Sequence, residues 1–230
     1  MPSPAAAADE TPAFEDLLQR AALFAAGGQH SETMGVSSGA EMSSQPAVVT
    51  YAIDTAMSRF TIRVFAGGLL SGFGHNPTIA VRGYSGTAQF APEDGNSASL
   101  HVSIQPDSLS VADDVSDSDR RDIESRMKKD VLETAHFPEI KFDSTEISAT
   151  RLGQGLYRVA ITGDLLLHGV QQRQTFNAQL TASDSMLRGH GEFSIRQSDF
   201  DIKLVAVAGG ALKVKDEVKV TFDILARKSG

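Results

Sequence analysis

From Val48 to the C-terminus, hydrophobic and polar residues alternate one by one through several separate stretches of the chain. A period of two is typical of β-strands, because successive side chains point to opposite faces of a sheet. Each stretch has one apolar and one polar face, which favours antiparallel strands around one core over buried parallel strands. The clearest stretches are 60–64, 100–104, 157–167, 176–180 and 218–224.

Turn-forming residues separate these stretches, at Gly67-Gly68, 92–96, 153–155 and Gly209-Gly210. Their spacing predicts about eight strands. Strands of this length would expose unpaired edges in an open sheet, and closure into an up-and-down barrel removes those edges. The sequence therefore predicts an all-β fold in the form of an antiparallel barrel.

One segment breaks the alternation. Over 118–134 the apolar residues Ile123, Met127 and Val131 are four apart, with acidic residues near the start and lysines later. Charges in this order complement the helix dipole. We expect one amphipathic helix that covers an end of the barrel, either as part of the core or as a moving lid over a ligand.

Residues 1–47 lack a strand pattern. Thr11 and Pro12 could begin a short helix over 11–26, and the following segment is rich in serine, glycine and small residues. A helix of this length is barely stable alone in water. We expect a flexible acidic leader, and an interaction module recruited through 11–26 stays open as an alternative.

The charge of the chain limits the classes of partner that it can bind. The formal net charge is −8, and residues 1–47 carry six acidic residues against one arginine, which leaves −3 on the remainder. Such a chain offers no basic surface for nucleic acid or anionic membranes. It has neither an apolar run long enough for a membrane helix nor a recognisable secretion signal, so we expect no stable membrane insertion and a cytoplasmic location.

Catalytic and metal motifs are missing from the sequence. It has no cysteine, and its six histidines never occur in His-x-His or HExxH spacing, which argues against a metal site. By strand parity, His101, His168 and His190 lie on the polar face, where we expect solvent exposure. His75, in a glycine-rich loop, could face a ligand at the barrel mouth. We assign no catalytic residue; a barrel enzyme that uses His75 or His168 on a small amphiphilic substrate stays the alternative.

The inward positions mix large apolar residues with small ones such as Gly163 and Ala178. A barrel of this size is either filled by its own side chains or holds one ligand. Alternation alone does not decide between the two.

Four segments carry a more specific pattern. They contain Ile53, Asp54, Ser58 and Phe60; Arg121-Asp122, Phe137-Pro138 and 141–145; Gly163, Leu165 and 168–170; and 198–200, 210–212 and 215–218. With these segments in this order, the chain resembles the YceI-like family, which is lipocalin-like and associated with polyisoprenoid binding. It departs from the family pattern at Asp201, where glycine is usual, and in the loop around His75.

The resemblance implies a lipocalin-like barrel over 48–230, with a long apolar tunnel that carries a polyisoprenoid, quinone-like or other lipid without catalysis. It implies no cofactor beyond such a lipid, places many relatives in the periplasm, and leaves a homodimer open. The mouth or lid is assigned to His75, Ile123, Met127 and Val131. The predicted apolar lining is Phe60, Ile62, Val64, Val102, Phe142, Val159, Ile161, Leu165, Phe176, Ala178, Leu180, Phe193 and Ile195.

Overall fold

The computed structural model of this protein describes residues 48–67, 76–91, 97–207 and 212–229. Within them lie twelve strands, all paired antiparallel. The strands are β1 (Val49–Ile53), β2 (Arg59–Gly67), β3 (Thr78–Val81), β4 (Tyr84–Phe90), β5 (Ala98–Ile104), β6 (Leu109–Val111), β7 (Ile140–Gly153), β8 (Leu156–Leu167), β9 (Val170–Ala182), β10 (Met186–Arg196), β11 (Ala206–Val207) and β12 (Leu212–Lys228).

Eight of these strands form a closed barrel in the order β1-β4-β5-β7-β8-β9-β10-β12, because β12 also pairs with β1. Closure gives both edges of the sheet a partner. The predicted antiparallel barrel with one helix is therefore confirmed. Strands β2, β3, β6 and β11 lie outside this ring. The sequence pattern predicted β2, through the stretch 60–64, and did not resolve the short strands β3, β6 and β11.

Strands β1 and β2 follow one another along the same edge of β12. Between them, Ser58 is buried, donates its hydroxyl to the Leu225 carbonyl at 3.1 Å and accepts the Leu225 N–H at 2.9 Å. The Asp54 carboxylate accepts from Arg227 Nε at 2.7 Å. This hydrogen bond, the largest cause, lowers the pKa of Asp54. These contacts replace the strand pairing that the interruption removes.

The extension β2-β3-β6 is covered by helix α1 (Asp117–Arg126), which continues through a π-helical turn (Met127–Val131). Ser116 caps α1 by accepting the Asp119 N–H at 3.1 Å. Ile123 and Met127 pack against a second core cluster, which consists of Ile79, Val81, Leu109 and Val111. The helix predicted over 118–134 is confirmed, with its last regular residue a few positions earlier.

The π-helical turn changes which side chains share a face. Its bond runs from the Leu132 N–H to the Met127 carbonyl at 2.9 Å, so these residues are five apart. Leu132 consequently joins Met127 and Val131 at the inner surface of the barrel. A strict helical period does not anticipate this position of Leu132.

Candidate ligand-binding cavity

A cavity of about 300 Å³ lies inside the barrel. Of the described residues that line it, only Gln89, Ser99 and Gln197 have polar side chains, and none is charged. The structure places every residue of the predicted apolar lining on its wall. Whether these residues hold a ligand stays a prediction.

Phenylalanine rings form the middle of the wall. Phe176 stacks on Phe193 with ring centroids 4.6 Å apart, and it contacts Phe142 and Phe222 at 5.4 and 5.8 Å. Two glycines differ beside this cluster. A Cβ on Gly191 would lie 2.8 Å from the Phe222 ring, whereas a Cβ on Gly189 would meet nothing closer than Leu180 Cδ1 at 4.0 Å. The interior is therefore close-packed around Gly191 and open beside Gly189.

Three aromatic residues, which we call the aromatic floor, cover the end of the barrel where β1 begins. Tyr51, Phe90 and Tyr157 are at most 3% exposed. The Phe90 and Tyr157 rings meet edge to face with centroids 5.1 Å apart. Burial raises the pKa of Tyr51, which keeps its hydroxyl neutral. Only Phe90 of the three lines the cavity.

The opposite end is covered by the π-helical turn and by a 3-10 turn (Gln197–Phe200). Met127 and Val131, predicted as mouth or lid residues, line the cavity there, whereas Ile123 packs on the second core cluster and does not. Motion of α1 as a lid stays a prediction. His75 and the predicted helix over 11–26 lie outside the described residues.

The predicted solvent exposure is confirmed for two of the three histidines and is wrong for the third. His101 is 48% exposed and pairs with Asp143, and His190 is exposed, as predicted. The prediction is wrong for His168, whose side chain is only 10% exposed. Strand parity fails there because β8 ends at Leu167 and His168 has the left-handed φ of 52° in the following turn.

The buried imidazole of His168 supports that turn. Its Nδ1 lies 3.1 Å from the carbonyl oxygen of Phe200, and its ring centroid lies 4.3 Å from that of Phe137. Nε2 has no hydrogen-bond partner, and the nearest carboxylate oxygen, on Glu133, is 3.7 Å away. Because His168 is not part of the cavity wall, it fixes the end of the barrel and does not face the cavity.

Sequence reasoning missed part of the wall because β7 contains a bulge. The β7/β8 register shifts between Ser144 and Glu146. The extra residue reverses the parity of β7, so that Ile147 faces the cavity although it is an odd number of residues from Phe142. Alternation counted from Phe142 would point Ile147 outward.

The barrel wall has two places where neighbouring strands lose their pairing. Strand β5 pairs with β7 only from His101↔Asp143 to Ile104↔Ile140. Strand β10 pairs with β9 only from Leu187↔Ala182 to Gly191↔Ala178. We call the unpaired parts the β5/β7 window (98–100 facing 144–147) and the β9/β10 seam (173–177 facing 192–196).

The described residues contain no group of three or more histidine, aspartate or glutamate side chains that could hold a metal ion. No helix in that part of the chain is long and apolar enough to cross a membrane.

A closed antiparallel barrel around an apolar cavity defines a lipocalin-like class of protein. Residues 51–226 match the family model described as the YceI-like domain. The chain belongs to this family. A comparison with curated proteins found no match.

Solved structures with the same fold include Burkholderia cenocepacia BcnA, with a TM-score of 0.60 and 18% identity over 75% of this chain and 98% of that one. A polyisoprenoid binding domain from Saccharophagus degradans has a TM-score of 0.57 and 16% identity over 79% of this chain and 99% of its own. A YceI protein from Campylobacter jejuni has a TM-score of 0.53 and 14% identity over 68% of this chain and 88% of that protein. At these identities the likeness shows the fold.

Proposed function

We propose that this protein binds and carries one long apolar molecule, of the polyisoprenoid, quinone-like or a related lipid class, inside its barrel and without chemical conversion. The observation that carries the proposal is the cavity of about 300 Å³ whose described wall has no charged side chain. The Saccharophagus domain, described as polyisoprenoid binding, supports the isoprenoid class.

The size of the cavity supports an occupant. Cavities left by truncating core side chains cost about 24 cal/mol per Å³, so a cavity of this size with an unfilled apolar wall destabilises a fold appreciably. Folded domains are stable by only about 5–15 kcal/mol in total. A bound apolar molecule removes much of that cost, because it restores van der Waals contacts along the wall.

The wall chemistry supports carriage over catalysis. Its polar side chains among the described residues, Gln89, Ser99 and Gln197, are not titratable in the ordinary pH range. General acid or base catalysis needs a titratable group within hydrogen-bond reach of the reacting atom. His168 is a candidate catalytic residue in the alternative that the barrel is an enzyme. Its imidazole contacts Phe137 and the carbonyl oxygen of Phe200.

Organic extraction of the purified protein, followed by mass spectrometry, tests the proposal directly. We expect a stoichiometric apolar molecule, and a protein free of lipid that also takes up no added isoprenoid would contradict it. Ala178→Phe adds a ring inside the cavity, so the amount of extracted lipid should fall while ligand-stripped protein keeps its stability. In a filled interior the same change would cost about 1–3 kcal/mol. The outward Gln179→Phe is the matched control and should do neither.

Three expectations from the sequence stay predictions. Removal of residues 1–47 should leave a cooperatively folding barrel, and pull-down with and without this segment tests the interaction-module alternative. A cytoplasmic location can be tested by cell fractionation, and a homodimer by light scattering.

A further inference from the structure

The β5/β7 window is bounded at both ends by specific contacts. At one end, the Leu100 N–H donates to Ser144 Oγ at 2.8 Å, a side-chain bond in place of strand pairing. At the other end, the Phe90 ring meets the Tyr157 ring of the aromatic floor. Between these contacts no described strand pairs with the β5-facing edge of β7.

The cavity reaches the protein surface at this window. Gln89 and Ser99 are exposed residues on the outer face of paired strands, yet they also border the cavity. Inward-facing Leu100 and Ile147 border it from the two sides and are only half-buried. Exposed Ser99 and half-buried Leu100 on the β5 side, with half-buried Ile147 on the β7 side, mark an opening through the wall.

The β9/β10 seam, by contrast, is filled. The stacked rings of Phe176 and Phe193 cross it with centroids 4.6 Å apart. A hydrogen bond also joins β9 to the 3-10 turn that follows β10, because Gln172 Nε2 donates to the Asp199 carbonyl at 3.0 Å. Lost pairing alone therefore does not open the barrel, because the stacked rings fill this gap.

The two ends of the barrel are less suited to passage. The aromatic floor is almost fully buried, and the other end carries α1. Arg120 fastens this helix by donating to the carbonyl oxygens of Val111 and Asp113, and Glu124 Oε1 accepts the Val111 N–H at 2.9 Å. Opening either end would break buried packing or several hydrogen bonds, whereas opening the window between 98–100 and 144–147 breaks the Leu100–Ser144 bond and shifts half-buried side chains.

We propose that the apolar ligand enters and leaves through the β5/β7 window in the flank of the barrel. This inference rests on the proposed carrier function and adds the route of exchange. Separation of β5 from β7 between 98–100 and 144–147 admits the flexible tail sideways, while the remaining ladders of the barrel stay intact.

The chain has no cysteine, which makes a reversible cross-link across the window specific. If the β5/β7 register continued past the bulge, Ser99 would lie opposite Glu146, and both residues are exposed. We would prepare the full chain with S99C and E146C, join the thiols with a disulfide-containing spacer, and follow uptake and release of a dansyl-labelled polyisoprenoid alcohol by fluorescence.

The matched control joins T175C to S194C, which occupy the corresponding outward positions across the β9/β10 seam. We expect the window cross-link to slow uptake and release roughly tenfold or more, because a gated step becomes rate-limiting, with equilibrium affinity unchanged and rates restored by reductant. The seam cross-link should change the rates less than about twofold.

Unchanged rates with the window joined, or equal slowing by the seam cross-link, would overturn the window as the route. No uptake by the unmodified protein would overturn the carrier function itself, and the route with it. A second measurement does not depend on cross-linking yield. A bulky maleimide attached to single-cysteine S99C should slow exchange, whereas the same label on S194C should not; equal rates for the two labelled proteins would again contradict the proposal.

Discussion

The β9/β10 seam and the β5/β7 window lie in the same barrel wall, and strand pairing is lost at both. The seam is crossed by stacked phenylalanine rings and by a 3-10 turn that is hydrogen-bonded to its neighbours. The described part of the window is closed by the Leu100–Ser144 hydrogen bond and half-buried aliphatic side chains, with the Phe90–Tyr157 ring contact at one end. A barrel wall is therefore closed by the side chains that fill its gaps as well as by its strand pairing.

The largest effect should follow from emptying the seam. Phe176→Ala removes a buried ring that contacts Phe142, Phe193 and Phe222, and we expect a loss of about 3–5 kcal/mol in the free energy of unfolding. At the window, Ile147→Ala removes a half-buried side chain and should cost about 1–2 kcal/mol. Denaturant unfolding of both ligand-stripped variants measures the difference, and equal losses would contradict the contrast.

A smaller effect should separate the packed from the open part of the interior. In Gly191→Ala the new methyl group would lie 2.8 Å from both the Phe222 ring and the Asn177 carbonyl oxygen, so we expect a cost of about 1–3 kcal/mol. Gly189→Ala points into open space beside Leu180 and should leave the free energy of unfolding nearly unchanged. Equal losses in the free energy of unfolding for the two substitutions would contradict an open space beside Gly189.

The substitution Met127→Lys tests whether the ligand leaves through the window or through the end of the barrel that the helix covers. The side chain lies between the cavity and the second core cluster, and we expect a cost of about 1–2 kcal/mol because a long lysine can still bring its ammonium to water. If the ligand leaves through the window, release of the dansyl probe should change little. Markedly faster release with an unaltered melting temperature would instead support the lid predicted from the sequence.

The smallest effect concerns the hydrogen bonds that hold the 3-10 turn beside the seam. Asp216 accepts the Ser198 N–H at 2.8 Å and the Ser198 hydroxyl at 2.7 Å, and these bonds lower the pKa of Asp216. A carboxyl group whose pKa is lower in the folded protein stabilises it above the unfolded value of about 3.9, and loses that contribution as pH falls through the folded pKa.

Asp216→Asn should therefore destabilise the protein slightly at neutral pH, and the difference from the parent protein should shrink in acid. Unfolding midpoints of both proteins across that pH range measure it. A difference that stays constant as the pH falls would mean that the carboxylate charge at Asp216 contributes nothing.

The alternation of apolar and polar residues along the chain predicted the longer strands and the inward faces of the regular ones. The period of two along β8 and β9, and along β12 from Val218 to Ile224, was enough to identify the inward faces, including Phe176 and Ala178, because the strand register is unbroken there. The four-residue spacing of Ile123, Met127 and Val131 likewise identified the helix. These features are local, and local sequence specifies them.

Only the tertiary structure decided the rest. The bulge in β7 reversed the parity at Ile147, and the left-handed turn removed His168 from the strand pattern and buried it. The stacking of Phe176 on Phe193 and the unpaired edge of β7 depend on which strands become neighbours. Neighbouring strands of the barrel are brought together by pairings between residues that are separated along the chain. The alternation within one strand therefore contains no information about whether that strand is paired with its neighbour.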